Sequence, residues 1–433
     1  MATTVSSKSE QRSNPARVAL GSWGLFSGLL LMMLSNGLLV TVLGLRAELE
    51  GFATSTTGLV MACYYVGFLG GSRAVPHFVG NVGHIRVFAA LASLASVSAL
   101  VHILDVSPGT WAAMRLITGF SYAGLYITAE SWLNDRATNE NRGSLLSIYM
   151  VVIMGGIAAG QGLLAIADPG KVTLFVISSV LVSVAVVPVS LSVGQAPEFR
   201  SATKLAIRQI WSAAPLGVVT GVGIGMANGA LWGLGAVYAS RVGMGQGRIA
   251  TFLAAAVIGS LITQIPIGAM SDRIRRRWAI ALVTWGATAL AVWAASIDPL
   301  SRLMIVAVFL FGGLTFPLYS LGLSHINDNV PQGAAVAVSS FYVLANGIGA
   351  ITGPLVAAYA LDAVGPSGFF WVLAVIHAGI GVFAIIRIIV REGIPVELQR
   401  RFAMVPARAG GVIIHSQPAL VDVGADSQER DEN

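Results

Sequence analysis

Arg115, Gly119, Tyr122, Tyr126 and Glu130 stand at offsets 0, 4, 7, 11 and 15 within one apolar stretch. At about 100° per residue these offsets fall in a narrow stripe along a helix. The stripe has a cation near one end, two phenols in the middle and a carboxyl near the other end. Such a set suits binding and proton handling. The guanidinium could hold an anionic or carbonyl group, or it could lock neighbouring helices. Glu130 reads best as the partner of Arg73 in a structural or gating ion pair, with proton carriage as the alternative. Asn36 and Asn228 are each buried in apolar sequence and each is followed by glycine. An amide in such surroundings needs a hydrogen-bond partner, either a ligand or a neighbouring helix. Trp232, one turn after Asn228, could stack on a flat solute. Tyr65, Tyr319 and Asn346 complete the candidate substrate contacts, with Gln161 as a weaker one.

The elements that must hold these residues follow from composition. The chain has 433 residues, of which 55% are hydrophobic and 11% charged, against roughly 25% charged in an average soluble domain. Mean hydropathy is +0.77. A membrane-crossing helix needs about 20 apolar residues, so twelve take roughly 240. The fold expected is an all-α integral membrane protein of twelve transmembrane helices in two six-helix halves. The spans are read at about 18–45, 56–79, 87–104, 110–133, 143–164, 171–193, 214–240, 248–270, 278–296, 302–325, 334–362 and 367–390.

The charges orient the spans. Of the 26 Lys and Arg residues, nineteen fall on the side of both termini. Only Arg46, Lys171, Arg241, Arg248 and Arg302 fall on the other, and Arg73 and Arg115 lie within spans. Basic residues stay cytoplasmic, so both termini are expected there. The same distribution accounts for the net charge of +6 without a nucleic-acid partner. Residues before span 1 carry no A-x-A cleavage pattern, so span 1 is expected to be retained.

A shift of about 192 residues superimposes the chain on itself. Asn36-Gly37 falls on Asn228-Gly229; with 193, Leu125-Tyr126 falls on Leu318-Tyr319, Tyr149 on Tyr342, and Asp135 on Asp328. The organisation read from this is a tail at 1–17, one half at 18–193, a linker at 194–213, a second half at 214–391 and a flexible tail at 392–433. The linker, with Arg200, Lys204 and Arg208 among Leu205, Ile207, Ile210 and Trp211, is expected to lie on the inner membrane surface as an amphipathic helix. Two like halves point to a transporter whose midplane site opens to either side as the halves rock. Within the first repeat, Arg115, Glu130 and Arg73 are unmatched: Val308, Leu323 and Ile265 stand at the equivalent positions. Gly217, Gly221, Gly225, Gly229 and Gly233 form a smooth stripe for close helix packing.

Several motifs resemble the major facilitator superfamily. GAMSDRIRRR at 268–277 is similar to its G-x-x-x-D-R-x-G-R-R loop, with Arg275 in place of glycine, which makes Asp272 and Arg273 gating candidates. RLITGFS at 115–121 resembles its R-x-x-x-G motif. TAESWLNDRATNENRGSLLSIYM at 128–150, GQGLL at 160–164 and QIPIG at 264–268 look like the YcaD-like branch. The superfamily's antiporter signature ends glycine-proline in span 5, whereas here Gln161 follows Gly160.

The reading is a secondary active transporter of the inner membrane, expected as a monomer. It moves a small organic solute, neutral or weakly anionic and of the kind of a vitamin-like heterocycle, by proton symport. The alternatives are a drug or metabolite exporter and a transport-inactive receptor. No catalytic dyad, phosphate-binding loop or metal-ligand set stands in the sequence: Cys63 is the one cysteine, and the six histidines form no i,i+4 pair. Neither enzymatic activity nor a cofactor or metal is therefore expected.

Overall fold

The computed structural model describes residues 22–136, 142–191, 207–331, 334–402 and 405. Among them there are helices and turns but no β-strand. Twelve rods run in chain order: α1 (Trp23–Leu49), α2 (Thr54–Val82), α3 (His84–Leu104), α4 (Pro108–Arg136), α5 (Arg142–Gly162), α6 (Thr173–Ser190), α7 (Pro215–Arg241), α8 (Gln246–Ser271), α9 (Arg276–Ser296), α10 (Arg302–Thr315 and Pro317–Asp328), α11 (Ala335–Ala363) and α12 (Gly368–Val390). Each matches one expected span. Ten are long and apolar enough to cross a membrane on composition alone; α2 and α4 are the exceptions. These two are rich in Gly, Ser, Thr and Tyr, and α4 buries Arg115 and Glu130 against its neighbours. The protein is a multi-pass membrane protein. Its exposed apolar belt, with Leu104, Ile265, Tyr359 and Ile389 between 67% and 82% exposed, has its natural solvent in lipid.

The two halves pack alike. In the first, α1 lies on α5 and α6, α2 on α4, and α3 on α4 and α6. In the second, α7 lies on α11 and α12, α8 on α10, and α9 on α10 and α12. The halves meet along α1 with α7, α2 with α11, and α5 with α8. Glycine makes the close approaches possible. A Cβ on Gly221 would stand 2.6 Å from the Tyr342 ring, and one on Gly233 would stand 3.0 Å from Pro354. Gly221, Gly225, Gly229 and Gly233 are thus the seam on which α11 seats, while Gly217 faces Ile326 of α10. In the first half, Gly156 and Gly160 seat on Met33 and Leu34 of α1 in the same manner.

Two expectations need comment. The linker at 194–213 lies outside the described residues except for a short helix, Ile207–Ala213, and the tail at 1–17 lies wholly outside them. The last segment was expected to be flexible from residue 392. Instead, residues up to 402, and Val405, fold back onto the second half through hydrogen bonds. Polar composition misled here, because the segment's partners are the arginines and aspartates of that same face. Below, the side of the membrane carrying both termini is called the termini side, and the other the distal side.

Candidate substrate and coupling site

Arg115 enters on α4 two turns from its distal end and is 2% exposed. Its guanidinium carbon lies 4.5 Å from the centre of the Tyr64 ring. Tyr64 meets Tyr65 edge-on at 5.3 Å and lies 6.5 Å from Tyr122. The cation is thus held against an aromatic wall in the first half, an arrangement worth about 0.5–2 kcal/mol depending on desolvation. The two tyrosines next on the stripe are turned toward α1. Tyr122 donates to the Met32 carbonyl at 3.2 Å, and Tyr126 donates to the Met33 sulfur at 3.1 Å.

Asn36 is 3% exposed and Asn228 7%. Among the described residues Asn228 Oδ1 is buried with no donor. Gln161, by contrast, is spent on packing: it donates to the Gly37 carbonyl at 2.9 Å and accepts from Thr41 at 2.6 Å, tying α5 to α1. Asn346 does the same between α11 and α7, donating to the Gly221 carbonyl at 3.0 Å. Trp232 is buried 6.1 Å from Phe316. Tyr319 packs edge-on against Tyr342 at 4.9 Å. Of the residues proposed from sequence, Arg115, Tyr65 and Tyr122 therefore share one aromatic cluster around Tyr64. Trp232 and Tyr319 stand in separate clusters of the second half.

Glu130 does not pair with Arg73. Glu130 is 0% exposed, whereas Arg73 is exposed, and no ion pair joins them among the described residues. The depths were compatible but the directions are not. Gly67 and Gly71 face α4, meeting Leu116 and Phe120. Arg73 is two residues past Gly71, about 200° around the helix, and so points away. The partner of Glu130 is Tyr149 on α5, whose hydroxyl donates to Oε1 at 2.8 Å, while Oε2 is buried without a partner. Tyr149 was visible in the sequence only as the repeat counterpart of Tyr342.

On the termini side, Asp272 is exposed and accepts the Phe402 N–H at 2.8 Å. Arg273 is exposed and makes no ion pair among the described residues. The buried charges of this loop are others: Arg276 Nε lies 2.8 Å from Asp328 Oδ2, with only 1% and 2% of the two side chains exposed. Sequence reading passed over this pair, although Asp328 carried a signal as the repeat counterpart of Asp135. Arg275, which replaces the motif glycine, has φ −56°. Its repeat counterpart Gly83 has φ 94°, a conformation that favours glycine. The second half therefore does not need glycine at this turn.

On the distal side, Arg241 joins four helices. It contacts Glu48 of α1 at 3.0 Å, Thr54 of α2 at 2.7 Å and Asp362 of α11 at 3.3 Å, and Thr54 donates to Asp362. Gln246 at the start of α8 donates to the carbonyls of Leu164 and Ala167 beyond α5. These contacts cross between the halves. Sequence analysis counted Arg241 only as a loop charge, because nothing local marks a clamp assembled from four separate elements.

Comparison with known proteins agrees with this architecture. Residues 217–420 match the Major Facilitator Superfamily model, and residues 3–199 match the model of the sugar (and other) transporters. The chain belongs to the major facilitator superfamily. Among curated proteins it is similar to the MFS-type transporter YcaD of Escherichia fergusonii, 28% identical over 76% of this chain and 86% of that protein. It is 29% identical to YcaD of Salmonella arizonae over the same shares. The fold is that of the nucleoside transporter NupG (TM-score 0.67, 14% identity, 85% of this chain and 98% of that one). It is also that of a bacterial homologue of the lysosomal transporter Spinster in an inward-facing, unoccupied conformation (TM-score 0.65, 14% identity, 94% and 100%). This facilitator-superfamily chain is thus a membrane transporter by family and architecture, with Arg115 and Glu130 buried in the first half and Arg276 and Arg277 in the second.

Proposed function

We propose that the protein is a secondary active transporter of the inner membrane, with both termini cytoplasmic. It takes up a small neutral or weakly anionic organic solute by alternating access, coupled to protons. The observation that carries the reading is the pair Asn36 and Asn228. They occupy equivalent positions on the first helix of each half, and both are more than nine-tenths buried. An unpartnered amide away from water costs free energy, and a solute with both donors and acceptors relieves that cost at two points related by the repeat. Arg115 on its tyrosine wall supplies a fixed positive end for a carbonyl or weakly acidic group.

Glu130 is the coupling residue in this reading. A buried carboxyl with a tyrosine donor, one unpartnered oxygen and, among the described residues, no cation within ion-pair distance is best accommodated with a proton on it. Opening of the interface brings water to the carboxyl and lets the proton leave. Tyr65, Trp232, Tyr319, Tyr122 and Tyr126 shape the solute's surroundings, the last two from behind by bracing α4 on α1.

The test is flux in proteoliposomes holding the purified protein, driven by an imposed proton gradient. Nucleosides and vitamin-like heterocycles are the first solutes to offer. Accumulation on the acid-to-alkaline direction supports the reading. Extrusion along the opposite direction would make the protein an exporter. Saturable binding with no flux for any solute would make it a receptor.

A further inference from the structure

α8 and α10 touch closely on the distal side of the break in α10, where Gly259 meets Phe309 and Gly312 meets Ala256. α10 then breaks at Phe316, and Pro317 opens its second piece. The repeat counterpart of Pro317 is Gly124, and there α4 stays continuous and packs on Val75 of α2. Pro317 opens the new piece because it has no N–H to give to the preceding turn, and on the termini side the ends of α8 and α10 stand far enough apart to admit another segment between Gly268 and Ser320.

The C-terminal segment fills that slot. The Phe402 ring lies over Gly268, where a Cβ would come 2.5 Å from it. The Arg400 N–H donates to Asp328 Oδ1 at 3.0 Å, and the Arg400 carbonyl accepts from Arg276 at 2.6 Å. Val405 is 6% exposed; its N–H donates to Ser320 Oγ at 3.0 Å, and its carbonyl accepts from the same hydroxyl at 2.9 Å. Ser320 is the neighbour of Tyr319 in the second piece of α10. The segment therefore clasps the second piece of α10 to the end of α8 through Gly268, Asp272 and Arg276 on one side and Ser320 and Asp328 of α10 on the other.

We propose that residues 400–402 and Val405 form an internal latch on the hinged second piece of α10. Docked, the latch holds Ser320 in place, and with it the neighbouring Tyr319. Released, it lets α10 swing about Pro317 as the termini side opens. The latch is thus a brake on the opening step, and this inference rests on the alternating-access reading. A binder of the slot, or modification of the tail, would act on transport without touching the solute site.

Two readouts test this without knowledge of the solute. The first is hydrogen exchange of the amides at 400, 402 and 405 in the full chain. The second is the distance between spin labels at Asn81 and Arg275, one in each half on the termini side, in a Cys63→Ser background. Wild type should show protected amides and two distance populations. Gly268→Leu should expel Phe402, abolish the protection and raise the wider population several-fold. Ser320→Ala and deletion of residues 400–433 should move both readouts the same way, and they do not depend on Gly268→Leu folding. Unprotected amides in wild type would overturn the latch. So would loss of protection with the two populations unchanged. A single distance in wild type and in every variant would overturn alternating access itself, and the latch with it.

Discussion

Tyr149 donates its hydroxyl hydrogen to Glu130 at 2.8 Å from the neighbouring helix, whereas the repeat counterpart of that tyrosine, Tyr342, packs on Tyr319 beside a leucine. One half therefore carries a titratable group at a position the other half fills with hydrocarbon. Intramembrane carboxyls are costly, by about 2.5–3.5 kcal/mol even on the lenient insertion scale, and tend to be kept for function.

Glu130→Gln retains shape and removes the proton site. Concentrative uptake should be lost, while exchange of solute across a membrane without a gradient should persist. Arg73→Ala should leave both at the wild-type level, because Arg73 faces away. The two fluxes measured side by side decide the matter, and loss of exchange in Glu130→Gln would assign the residue to packing.

Arg115 lies over Tyr64, and the planar guanidinium is what an ammonium cannot reproduce. Arg115→Lys should lower uptake sharply with normal amounts of folded protein in the membrane. Tyr64→Leu should cost about 0.5–2 kcal/mol in solute affinity through the lost cation–π contact, a several-fold rise in KM. Unchanged transport in Arg115→Ala would remove Arg115 from the site.

Arg241 closes the distal side through partly exposed pairs, each worth about 0.2–1 kcal/mol. Arg241→Ala should shift the ensemble toward distal opening by a few-fold. Labels at Gly51 and Gly243 in distance measurements report it. An unaltered distribution would reduce the clamp to a surface contact.

Arg276 and Asp328 are buried together. Removing one partner leaves the other uncompensated and costs about 3–5 kcal/mol, and removing both costs less. Arg276→Ala should therefore lower the thermal midpoint in detergent well below wild type, and Arg276→Ala with Asp328→Ala should recover part of the loss. Equal midpoints in the single and double variants would indicate that the pair is not coupled.

Topology has its own check. Reporter fusions at residue 204 and at the C-terminus should both report cytoplasm, and a periplasmic signal from either would contradict the orientation.

Sequence alone determined what depends on composition and period: twelve apolar rods, two halves related by a near-constant shift, the glycine seam on α7, and an unmatched Arg115 and Glu130 on one face of α4. Those features are local or repeat along the chain, so they can be read without coordinates. Tertiary structure decided what depends on the direction a helix presents to its neighbours. Arg73 stands at the right depth for Glu130 and on the wrong side of α2, a difference of azimuth that depth counting cannot register. Arg241 gains its role from Glu48, Thr54 and Asp362, which approach it only after α1, α2 and α11 have packed. Residues 400–402 and Val405 have no apolar period to betray them. They dock on Gly268, Asp272, Arg276, Asp328 and Ser320, residues drawn together only by the fold.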